Sequence, residues 1–192
     1  MTQELAAGIA RARRRVAQFV RDRRGVSAVE FAMLLPLMVA LYLGGVEIST
    51  GIAIDRKVTL VARTLADLVS QASSVNTTDV TNILAASASV VAPYDDSKLK
   101  ITVTSVKVDS QGNASVAWSD TKNGSARAVG STVTLPSALN VPSTSLIWAE
   151  TQYAYTPSVG FMITGTRNLT DQIYMRPRLS DCVLRAGVVT SC

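Results

Sequence analysis

Glu30 is the one charged residue between Val26 and Val46 in an otherwise apolar run, and an acid at the centre of a bilayer costs about 2.5 to 3.5 kcal/mol, less near its edge. A carboxylate there needs a cationic partner or a route to the headgroups. Other side chains with chemistry to offer are sparse. Cys182 and Cys192 are the only cysteines and histidine is absent, which excludes zinc sites of the usual composition and every triad that depends on an imidazole. No G-x-x-x-x-G-K, G-x-G-x-x-G or G-x-S-x-G occurs, so phosphate cradles and the nucleophile elbow are missing. Asp95-Asp96 reads as a turn before a strand rather than as a catalytic pair. No cofactor, metal or catalytic residue is expected, and the chain is expected not to be an enzyme.

The elements that must position these residues begin with a membrane segment. In 192 residues, 47% are hydrophobic and only 17% charged, with a mean hydropathy of +0.24, against roughly 25% charged in soluble domains. Val26 to Val46 would span about 31 Å as a helix, enough for a bilayer core. The net charge of +5 resides in residues 1–25, where seven arginines face Glu4 and Asp22. A basic cluster before an apolar run orients it with that end in the cytoplasm. It is not a nucleic-acid signature, because no aromatic platform beyond Phe19 and no recognition motif accompanies it. Three readings compete for the run: a secretory signal cut near Gly45, a plain anchor, or a prepilin-type segment. Leu43-Gly44-Gly45 is an indifferent signal site, and a plain anchor leaves Glu30 without a reason.

Arg23-Arg24-Gly25, then Val26-Ser27-Ala28-Val29-Glu30-Phe31 and Ala32-Met33-Leu34-Leu35-Pro36-Leu37, resembles the prepilin-peptidase site of the TadE-like pseudopilins of the tight-adherence (Flp) pilus system. The resemblance implies cleavage between Gly25 and Val26, with Glu30 and Phe31 as the fifth and sixth residues of the mature chain. Gly44-Gly45-Val46-Glu47 is similar to the family's second acidic turn. The specific likeness covers residues 23 to 55. Its spacing has a physical rationale, since cleavage would create an ammonium on Val26 one helical turn from Glu30. The two charges can neutralise each other, within a subunit or between staggered neighbours, in a medium where either alone is expensive. Pro36 should bend the segment, and Gly44 and Gly45 either admit a neighbouring helix or give a flexible exit.

Beyond Glu47, Ile54, Val58, Val61, Leu65, Leu68 and Ala72 recur at helical spacing and mark one apolar face, with Asp55, Arg56, Arg63 and Asp67 on the wet side. A second helix, capped by Thr78-Asp79, carries Val80, Ile83, Leu84, Ala88 and Val91 before Pro93 stops it. The period then changes to two. Leu99 to Val108 alternates apart from a slip at Ser105 that suits a bulge. Asp109 to Asn113 is a turn, Ala114 to Trp118 returns as a hairpin partner, and Asn123-Gly124 turns again. A strand from Leu146 to Tyr155 places Ile147, Ala149, Thr151, Tyr153 and Tyr155 on one side and Trp148 on the other. Val159 to Thr164 and Ile173 to Met175 read as short strands, and Trp148, Tyr153 and Tyr155 as core aromatics. The four N-x-S/T sequons at Asn76, Asn113, Asn123 and Asn168 read as chance in loops rich in Ser, Thr and Asn.

The expected fold is α+β and pilin-like: a long N-terminal membrane helix continuing into an amphipathic one, a short second helix, and an antiparallel sheet of about four strands. The expected divisions are a cleaved basic leader over 1–25, a transmembrane helix over 26–46, its amphipathic extension over 47–72 and a periplasmic domain over 73–192. In that oxidising compartment Cys182 and Cys192 are expected to pair. The resemblance implies a minor pseudopilin in the bacterial inner membrane. Its implied partners are a prepilin peptidase, other pseudopilins, the major pilin, the assembly platform, the secretin channel and membrane lipid. The competing classes are an unprocessed single-pass envelope protein with a periplasmic binding domain and an anchored enzyme.

Overall fold

The computed structural model describes residues 14–18, 24–157 and 165–189. Residues 14–18 are helical, and the 47-residue helix α1, Arg24–Ser70, follows with Pro36 inside it; the proline forgoes one backbone hydrogen bond without ending the helix. The chain divides into two compact units, Met1–Val46 and Glu47–Cys192. In the first, every described side chain from Gly25 to Tyr42 is exposed, including Phe31, Met33, Leu37 and Leu41. Twelve consecutive apolar exposed positions, Phe31 to Tyr42, are ruinous in water and ordinary in lipid.

The second unit starts with the rest of α1. Ile54, Val58, Val61, Leu65 and Val69 are 0 to 2% exposed. The expected stripe is thus correct up to Leu65 and then moves by one residue: Val69 is in the core and Leu68 is half-buried. The helix stops at Ser70, where Arg178 N–H donates to the Ser70 carbonyl (2.9 Å) and Arg178 also pairs with Asp67. A two-residue strand β1, Ser74–Val75, precedes α2, Thr77–Ser89. The cap of α2 is Asn76, not Thr78-Asp79. Asn76 Oδ1 accepts from Asp79 N–H and Asp79 Oδ2 from Asn76 N–H, both at 2.9 Å, so two otherwise orphaned donors are satisfied reciprocally.

Strands β2 (Leu99–Val108), β3 (Ala114–Lys122), β4 (Thr144–Tyr155) and β5 (Arg167–Met175) form one antiparallel sheet in the order β3-β2-β4-β5. The α+β fold is therefore as expected. Val159 to Thr164, which reads as a strand in the sequence, lies outside the described residues, and the Ile173 strand is the end of the longer β5. The inner face, with Leu99, Ile101, Val103, Ile147, Ala149 and Tyr153, packs against α1 and α2 in one core.

The irregularity at Ser105 is a bulge on the neighbouring strand. Ser105 pairs with Trp118 and Val106 with Val116, so Ala117 is the extra residue, while β2 stays in regular register with β4. The consequence is a change of face along β3. Ala114 and Val116 go with Val106 and Val108 on the outer side, under Leu135, whereas Trp118 enters the main core at 1% exposure. Its Nε1 donates to the Val183 carbonyl at 2.8 Å. Val183 precedes β6, Leu184–Arg185, which pairs in parallel with β1. Arg185 is buried and bonds both carboxylate oxygens of Asp120 and the Thr77 hydroxyl, so one guanidinium ties β6 to β3 and to the start of α2.

Candidate functional site

Gly25, Val26, Glu30 and Phe31 all lie in the first two turns of α1 and are exposed, Val26 at 55% and Phe31 at 59%. Helical spacing puts Glu30 on the face of Val26, one turn on. Glu30 forms no ion pair among the described residues. Its carboxylate is thus available to a partner outside this chain, or to the ammonium that cleavage at Val26 would create. Phe31, next along, projects a large apolar surface that is left exposed by the described residues.

A Cβ built on Gly25, Gly44 or Gly45 would meet nothing within 4 Å. Among the described residues no side chain would clash with a Cβ at these positions, and Gly44 and Gly45 lie in the interior of a helix, where glycine costs roughly 1 kcal/mol relative to alanine.

Glu47 lies apart from this group and opens the folded unit. It is half-buried, and its carbonyl accepts the Tyr155 hydroxyl at 3.2 Å. The Tyr155 ring lies against Gly51, where an added Cβ would stand 3.5 Å from Cε1. Burial first, then the Glu47 and Tyr94 charges, raises the Tyr155 pKa above the usual phenol range, so its hydroxyl stays a donor. The junction leaves no mark in the sequence, where Tyr155 reads as one more core residue of an alternating strand. Tyr153 is such a residue at 4% exposure, whereas Tyr155 is half-buried against α1.

Trp148, also read as core, belongs to the outer sheet face. Tyr174 stacks on it with centroids 5.4 Å apart, Arg127 lies 3.9 Å from its ring centroid, and its Nε1 donates to Gln172. Arg127 itself is held by a two-pronged pair with Glu150. The cluster is a self-satisfied set of contacts rather than an open platform. Cys182 is buried, and Cys192 lies outside the described residues.

The decisive comparison concerns the helix. Residues 25–67 match the family described as TadE-like protein. This stretch is TadE-like. The match opens on Gly25, takes in Val26, Glu30, Phe31 and Glu47, and ends within the buried stripe of α1 at Asp67. The TadE-like segment thus unites the exposed apolar part of the helix with the part that packs against the sheet. No match is found among curated proteins or among solved structures.

Proposed function

We infer that the chain is a non-enzymatic minor pseudopilin that takes part in assembling a tight-adherence (Flp) pilus and is matured by a prepilin peptidase cutting between Gly25 and Val26. The observation that carries this reading is the TadE-like match beginning at Gly25, on a helix whose apolar side chains are all exposed over the following turns. One N-terminal helix of that length and composition fits a single-pass membrane protein. The arginine cluster before it favours a cytoplasmic N-terminus and a periplasmic sheet domain. The mature Val26 ammonium would then meet Glu30 of its own or a neighbouring subunit inside the membrane. Major pilin, other pseudopilins, the platform, the secretin channel and inner-membrane lipid are the partners this role requires.

The intact mass and N-terminal sequence of the membrane-extracted protein test the reading. A chain starting at Val26 is expected from cells with the peptidase. Gly25→Glu is expected to leave a full-length inserted precursor, because the peptidase must fit extended backbone beside a residue without a side chain. Cleavage of the variant at the native rate would remove the pseudopilin reading, and a wild-type chain that keeps residues 1–25 in such cells would favour an unprocessed envelope protein.

A further inference from the structure

We propose that the bilayer interface does not stop at Glu47 but embeds the start of the folded unit, so that Ile48 and Ile52 contact lipid and Tyr155 serves as an interfacial anchor. The proposal rests on the anchored reading above and adds where the membrane ends.

Ile48 and Ile52 are 67% and 51% exposed. They stand one turn apart on one stripe of α1. The same two turns carry Gly51, which receives the Tyr155 ring, and Ile54, which is 2% exposed in the core. One side of this short stretch is therefore committed to the sheet while the other offers two large aliphatic side chains to the surroundings. After Glu47 the next charged residues are Asp55, Arg56 and Lys57.

Lipid is the occupant that the lengths favour. Val26 to Val46 accounts for the hydrocarbon core, about 30 Å, and the polar layers add roughly 5 to 7 Å on each side. Glu47 to Ile52 rises about 7.5 Å along a helix, which matches that layer. Between Ile48 and Ile52 the helix carries no charged residue, so the stripe they form is apolar. Tyr155 has the chemistry of an interfacial side chain, with an apolar ring against Gly51 and a hydroxyl directed at the Glu47 carbonyl. Arg167, exposed, is its register partner across β4 and β5. With Arg56 and Lys57 it supplies cations for headgroup phosphates at this end of the unit.

Four tryptophan variants of the full chain test this in vesicles of phosphatidylethanolamine and phosphatidylglycerol, using lipid brominated either near the headgroup or near the chain end. Ile48→Trp, Ile52→Trp and Leu60→Trp substitute exposed positions and should fold, and Leu37→Trp reports mid-span. After subtraction of the Trp118 and Trp148 background, the emission added by Ile48→Trp and Ile52→Trp is expected to fall about twofold with the shallow bromolipid. Leu37→Trp should respond to the deep one and Leu60→Trp to neither. If Leu37→Trp is quenched but positions 48 and 52 are not, this inference fails and the anchor stands. Should Leu37→Trp also escape quenching, the anchor itself is wrong. Blue-shifted but unquenched emission at position 52 would mean that protein, a second copy or a partner, covers the stripe, and would equally overturn the proposal.

Discussion

A lone carboxylate in an apolar helix is a liability unless its charge is used, and Glu30 is exposed with no ion pair among the described residues. Glu30→Ala is therefore expected to insert as well as or better than the parent, because the charge costs more in lipid than alanine does. It should nonetheless impair pilus assembly, since the Val26 ammonium loses its partner; unchanged fibre yield, counted by electron microscopy, would end the pairing role. Asp109 is a residue of the opposite kind, whose charge serves the fold. The Asn113 side chain, then the backbone N–H groups of Asn113 and Gln111, bond its carboxylate and lower its pKa. A depressed folded pKa means that the contribution is present above the unfolded value of about 3.9 and is lost as pH falls through the folded value. Thermal melts between pH 5 and pH 2 should accordingly show Asp109→Asn losing less stability on acidification than the parent; identical slopes would show that the turn does not sense the charge.

At the scale of elements, the helix α2 depends on a cap that lies one residue before it. Asn76→Ala removes the side-chain acceptor for Asp79 N–H while leaving the backbone N–H that donates to Asp79 Oδ2, and is expected to cost about 1 kcal/mol in denaturant unfolding. A loss below a few tenths would mean that packing of Val80, Leu84 and Ala88 alone fixes the helix start. The same comparison shows what was legible beforehand. The stripe of α1 from Ile54 to Leu65 and the alternation of β4 could be read because each element is buried on one side only, so burial prints its period on the residues. The shift from Leu68 to Val69 could not, since both are apolar and helix pitch alone does not choose between them. Nor could the Ala117 bulge, which is a fact of pairing between β2 and β3, or the β1–β6 pair, two residues against two and far apart in sequence. The motif of Gly25, Val26, Glu30 and Phe31 was legible for a different reason: these residues are exposed, so packing among the described residues does not account for their types. Tyr155 was not, because contact with a helix far away in the chain leaves no local pattern.

The molecule as a whole is asymmetric in charge, with the +5 excess confined to residues 1–25 and the remaining chain neutral. On the reading proposed above, that asymmetry points the sheet domain into the periplasm, an oxidising compartment. In a periplasmic domain Cys182 and Cys192 should be joined. The chain up to Cys182 is already well fixed: Ser145 Oγ donates to the Asp181 carbonyl, the Val183 carbonyl accepts from Trp118, and Arg185 is locked to Asp120. Cys182 is buried at 9% exposure, so a bond from it would fasten the residues after β6 to a rigid point. Nine residues separate the two cysteines in sequence, and for so small a loop the chain-entropy model gives on the order of 2.5 to 3 kcal/mol. That is a substantial fraction of the stability of a small domain. Non-reducing mass spectrometry of protein from cells should find a peptide pair joined through Cys182 and Cys192, and reduction should lower the melting temperature by several degrees. Two thiols that alkylate freely in protein taken directly from cells would count against the bridge and, with it, against the periplasmic orientation, because an oxidising compartment would not leave such a pair reduced.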